Sequence, residues 1–216
     1  MIPHSVKRRC PLILALALGA LAAAPLLLGS GFLNTRAGGD SPFLLFRLHQ
    51  LYSALAEGVF PVRWMPDAAY GLGYPFFSYY AALPYYLAAV FKGLGFSFVA
   101  SLKLAQLVGF LLAAGAMFAW VRRRARSAWS ALLASAAYTF APFHMVNVYV
   151  RGDSLSEFWA FAWYPLILFA ADRFAERVSA ARAAGLALAY AALALTHNIS
   201  WFIFTPFLLL YVLLVG

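Results

Sequence analysis

The sequence predicts an all-α, polytopic integral membrane protein, and three observations carry that reading. Hydrophobic residues make up 65% of the chain and charged residues only 11%, against about a quarter charged in a soluble domain. Mean hydropathy is +0.81. Apolar runs close to the ~20 residues needed to cross a bilayer recur along the chain. Lys and Arg outnumber Asp and Glu, 16 to 7, and they cluster at the ends of the apolar runs. Those clusters are Lys7-Arg8-Arg9, Arg122-Arg123-Arg124-Ala125-Arg126, and the stretch from Arg173 to Arg182. This is the distribution of the positive-inside rule. The pI of 9.9 therefore reports topology, and no nucleic-acid partner is called for.

Taken in order, the first run, residues 11–29, carries no charge. It follows a basic N-terminus and is longer than the hydrophobic region of a cleaved signal, so it reads as a signal anchor with its N-terminus in the cytoplasm. Cys10 is the single cysteine and allows neither an intrachain disulfide nor a multi-cysteine metal site. Residues 30–96 read as a large extracytoplasmic loop. Within it, Ser41-Pro42 resembles an N-cap and first helical position, and Gly58 a helix end. Leu44, Leu48, Leu51 and Leu55 share one face between them, which predicts an amphipathic surface helix. Prolines and glycines from Phe60 to Pro75 forbid a long helix there. The Tyr-rich run 74–91 reads as a second interfacial helix, because tyrosine favours the headgroup level. Letting it cross would also push the cluster at Arg122 outside. Further spans are expected at 97–121, 128–148, 155–171, 183–197 and 199–215, giving about six in one membrane domain over 1–216. The last run reaches the end of the chain without a polar tail, which suggests the first part of a larger membrane protein.

Ionisable groups near membrane depth are costly and point to function. Asp40 precedes a helix N-terminus, where a carboxylate is favoured and could accept a proton or hold a cation; simple capping accounts for it equally well. Arg151-Gly152-Asp153-Ser154-Leu155-Ser156-Glu157 marks the turn before the fourth span. Asp153 and Glu157 are four apart and would share a helix face. Capping explains Asp153 and Ser154. Glu157 enters the apolar run Phe158-Trp159-Ala160 and needs a partner. His197 and Asn198 form a polar turn between the last two spans. Arg63 could pair with Asp67 or bind a lipid phosphate. His49 and His144 read as interfacial or packing residues. Walker, dinucleotide, zinc and nucleophile-elbow patterns do not occur.

The order of these features resembles the GT-C superfamily, the multi-spanning glycosyltransferases that use polyprenyl-phosphate donors. The local wording is most similar to bacterial membrane proteins labelled 6-pyruvoyl-tetrahydropterin synthase-related. It comprises Gly39-Asp40-Ser41-Pro42-Phe43, Pro61-Val62-Arg63-Trp64, Gly71-Leu72-Gly73-Tyr74-Pro75, Arg151-Gly152 with Glu157, and Leu195-Thr196-His197-Asn198. The resemblance implies a GT-C-like amino-terminal module in a bacterial plasma membrane, transferring a sugar from a polyprenyl-phosphate donor to an acceptor on the outer face. By the same resemblance, Asp40 and Glu157 are the catalytic carboxylates, and the holders of a divalent metal (Mg or Mn) if one is used. Arg63, Arg151, Asp153, His197 and Asn198 would hold donor phosphate or substrate. The alternatives are a non-enzymatic transporter or scaffold for lipid-linked glycans, and an inactive fragment of a GT-C enzyme.

Overall fold

The computed structural model describes residues 4–31, 41–151 and 154–215. Asp40 and Asp153 lie outside the described residues. The described chain is helical: α1 (His4–Leu28), α2 (Ser41–Ala56), α3 (Phe76–Tyr79), α4 (Leu83–Gly93), α5 (Phe98–Ala125), α6 (Ala128–Thr139), α7 (Pro142–Tyr149), α8 (Leu155–Glu176), α9 (Ala180–Ala194) and α10 (Asn198–Val215). Two helices, α1 from Cys10 onward and α5, are long and apolar enough to cross a membrane; α9 and α10 are shorter apolar helices.

Helix α5 is the hub and packs on α1, α4, α6 and α8. Its start is fixed by Ser97, whose hydroxyl accepts from Ala100 N at 3.1 Å. Its end carries Arg122, Arg123 and Arg124, where cations suit the negative pole of the helix. Small residues let its neighbours come close. A Cβ on Gly19 of α1 would stand 3.0 Å from the Phe110 carbonyl oxygen, and one on Gly109 would stand 2.5 Å from the Phe158 ring of α8. Around that contact Phe110, His144, Phe158 and Phe161 form an aromatic stack, with His144 and Phe161 rings 4.7 Å apart. His144 is thus a packing residue.

Contacts at the two ends fix how the helices alternate. At one end Arg124 of α5 binds Asp172 of α8 at 2.5 and 2.7 Å, and Tyr211 of α10 donates to the same carboxylate at 2.6 Å. Arg123 pairs with Glu176. At the other end Lys103 of α5 donates to Gly29 O, just past α1, at 2.6 Å, and Leu83 N donates to Leu195 O at 2.9 Å. Helices α5, α8 and α10 therefore run from the second end to the arginine end, and α1 and α9 run back.

Two expected elements differ. The run 128–148 is not one helix. Pro142 keeps Ala141 extended (φ −53°, ψ 134°), because the residue before proline is disfavoured in the helical region; α6 and α7 result. The run 74–91 likewise divides into α3 and α4 around Tyr80–Ala82, with Pro84 in the first turn of α4. The leucine face of α2 is present, with Leu44, Leu48 and Leu51 buried. It packs against α4 and α5, so protein covers it.

Candidate functional site

The end opposite the arginines gathers three loops. In the α7–α8 turn, Arg151 donates to Asn147 Oδ1 at 3.0 Å and pairs with Glu157. Ser154 Oγ lies 3.4 Å from the same carboxylate. Glu157 sits in the first turn of α8, where the helix N-terminus favours negative charge. Its need for a partner is met locally by Arg151.

In the α9–α10 turn, Ser200 N donates to His197 Nδ1 at 3.4 Å, and Ser200 Oγ lies 2.6 Å from the same nitrogen. An accepting Nδ1 leaves the imidazole proton on Nε2. Burial lowers the His197 pKa below its usual 6.5; the Arg151 charge also lowers it, while Glu157 opposes the shift. The ring is therefore neutral at pH 7. That electrostatic coupling brings His197 into the neighbourhood of the Arg151–Glu157 pair. The ring also meets Tyr80 edge-on, 6.3 Å between centroids. The turn is anchored by Trp163, whose Nε1 donates to Thr196 Oγ1 at 2.8 Å.

Asn198 donates to Tyr79 O at 3.2 Å. This joins the turn to the third element, the segment 60–82 that contains α3. There a cavity of about 380 Å³ is lined by Arg63, Tyr79, Tyr80, Tyr86 and Asn198, among others. Its wall is held by Val62 N donating to Tyr86 OH at 2.9 Å and by the Met65–Tyr74 bridge. Arg63 does not pair with Asp67. Asp67 instead accepts from buried Gln50 at 2.6 Å and returns a backbone N–H to it at 2.9 Å, and the exposed Arg63 has no carboxylate partner among the described residues. Of the seven residues singled out in the sequence, five (Arg63, Arg151, Glu157, His197 and Asn198) lie along this end. Asp40 and Asp153 are outside the described residues.

Arg47, expected on the outer face, is a residue to which sequence reasoning gave no role. Its guanidinium lies 4.3 Å from the centre of the Phe76 ring and donates to Tyr85 OH at 3.3 Å. The signal was present: Arg47 stands one turn after Phe43 in a chain whose next helices are rich in aromatics, and arginine stacks on aromatic faces. Among the described residues no group of three or more His, Cys, Asp or Glu side chains comes together. Glu157 is already paired with Arg151, so the described donors do not by themselves fit a divalent ion.

A family model described as the 6-pyruvoyl-tetrahydropterin synthase related domain, a membrane protein, matches residues 77–216. The chain belongs to this family. The matched region runs from α3 to α10 and holds Arg151, Glu157, His197 and Asn198; Arg63 lies before it. A membrane setting accounts for the many large apolar side chains exposed on α10, such as Phe202, Phe207, Leu210 and Leu213. An uncharacterized protein of Lactococcus lactis subsp. cremoris (strain MG1363) is 27% identical over 184 residues, covering 83% of this chain and 30% of the relative. The chain thus spans less than a third of that relative's length. No solved structure matches it.

Proposed function

We propose that this family member is the amino-terminal module of a GT-C-type glycosyltransferase of the bacterial plasma membrane. In this reading it moves a sugar from a polyprenyl-phosphate donor to an acceptor hydroxyl on the extracytoplasmic face. The supporting observation is the convergence of Arg63, Arg151, Glu157, His197 and Asn198, from three separate loops, along one end of the helical bundle and beside a tyrosine-walled cavity. Six crossings, with a cytoplasmic N-terminus, put this end outside and the Arg124 end inside.

The chemistry follows from the charges. The acceptor oxygen attacks the anomeric carbon, the bond from that carbon to the phosphate oxygen breaks, and the acceptor proton passes to Asp40. The leaving polyprenyl phosphate gains negative charge in the transition state, and cations held in place are the strongest aid to such a step. Arg63 is exposed, with no carboxylate partner among the described residues, and is assigned to that phosphate. Glu157 orients Arg151 rather than serving as base, because its carboxylate is already engaged. Asp153 is assigned as a substrate ligand. Neutral His197 and Asn198 are hydrogen-bonding groups for the sugar.

The test is transfer of labelled sugar from a polyprenyl-phosphate donor in membranes carrying the protein. Asp40→Asn is expected to abolish transfer at unchanged expression, and Arg63→Gln to lower it. Unchanged turnover in Asp40→Asn rejects Asp40 as the base.

A further inference from the structure

A second cavity lies along α8 and α9. This apolar groove of about 550 Å³ runs along the two packed helices, lined by Trp163, Phe169, Gly185 and Ala189 and bordered by Arg173 and Arg182. Gly185 has nothing within 4 Å of where a Cβ would stand, so the groove is open along α9. Along α8 it runs from Trp163 to Arg173, roughly 15 Å at the rise of an α-helix. That is half of a hydrocarbon core ~30 Å thick, or the depth of one leaflet.

The mouth is strongly cationic. Arg123, Arg173 and Arg177 all repel the Arg182 guanidinium. Arg182 nonetheless stays over the end of α8, donating to Arg173 O. The nearby carboxylates are committed elsewhere, Glu176 to Arg123 and Asp172 to Arg124. Arg173, Arg177 and Arg182 have no carboxylate partner among the described residues. Mutually repelling guanidiniums beside a leaflet-deep apolar slot are complementary to one kind of molecule: an acyl chain that ends in an anionic phosphate.

We infer that the α8–α9 groove is a binding site for one anionic phospholipid from the leaflet on the arginine side, its acyl chain against Trp163 and Gly185 and its phosphate between Arg173 and Arg182. Its arginine mouth is at the opposite end of the bundle from the cavity assigned to sugar transfer, and the inference does not depend on that assignment.

Native mass spectrometry of the full chain in detergent tests it, by titration with phosphatidylglycerol and with phosphatidylcholine of identical acyl chains. Phosphatidylglycerol should be retained in preference, with about fivefold weaker retention for each of Arg173→Gln and Arg182→Gln. Gly185→Leu, which fills the groove from an open position, should remove the preference while circular dichroism shows an unchanged helix content. Equal retention of the two lipids overturns the site. So does a preference that survives Gly185→Leu, since the arginines would then act as an ordinary charged surface; and so does a preference unaffected by both arginine substitutions.

Discussion

At the scale of single residues, the site rests on two local arrangements. His197 is held neutral by burial, so its imidazole should titrate below 6.5. NMR titration of the full chain in detergent, with His197→Gln to assign the signal, checks this; a value at or above 6.5 contradicts it. The sign for stability follows. The unfolded chain takes up the proton first, so this contribution is intact above pH 6.5 and is lost as pH falls through the lowered folded value. The second arrangement is Arg151 with Glu157, half-exposed and mostly buried respectively. Arg151→Gln leaves the carboxylate alone at the top of α8 and should cost about 1–2 kcal/mol in thermal or denaturant unfolding. Glu157→Gln should cost less, because an amide oxygen can still accept from Arg151. A larger loss for Glu157→Gln contradicts the assignment. That Glu157 required a partner was legible from the apolar residues after it. That Arg63 would be left free was not, because Gln50 is seventeen positions from Asp67 and no local pattern announces the pairing.

At the scale of elements, glycine placement separates contact from open space. Gly109→Ala drives a methyl group into Phe158, itself confined by Phe110 and His144, and should destabilise by about 1–3 kcal/mol. Gly185→Ala meets nothing and should be neutral or stabilising by up to ~1 kcal/mol from helix propensity. Melting of the two variants side by side decides it; equal losses contradict the close α5–α8 packing. The apolar runs gave the positions of α1, α5, α8, α9 and α10, because burial in lipid and burial in a helical core demand the same residues. They did not give the α6–α7 break. Pro142 was visible, but its consequence depends on whether the chain is stretched straight through the bilayer or folded back on the bundle. The leucine stripe of α2 was equally plain. Its cover was not, since a stripe carries no label for lipid or protein.

At the scale of the whole molecule, Arg124, Asp172 and Tyr211 tie α5, α8 and α10 at one end. The described site residues, Arg63, Arg151, Glu157, His197 and Asn198, lie at the other. In a Cys10→Ser background, single cysteines replacing Glu57 and Arg124 should react with an impermeant thiol reagent from opposite sides of the membrane; reaction of both from one side contradicts the alternation of the helices. Lys103, a buried cation near the start of α5, is spent on Gly29 O. Such a tether between helix ends gives little to a transport pathway. Charge clusters made the two ends legible in the sequence, whereas the meeting of distant loops at one of them is a property of packing alone.

Spin labels at positions 40 and 157, again without Cys10, probe the central claim most directly: Asp40 and Glu157 serve a single vestibule. Pulsed distance measurement on the full chain in nanodiscs should return a separation within reach of one bound sugar phosphate. A separation comparable to the hydrocarbon thickness, ~30 Å, would contradict it.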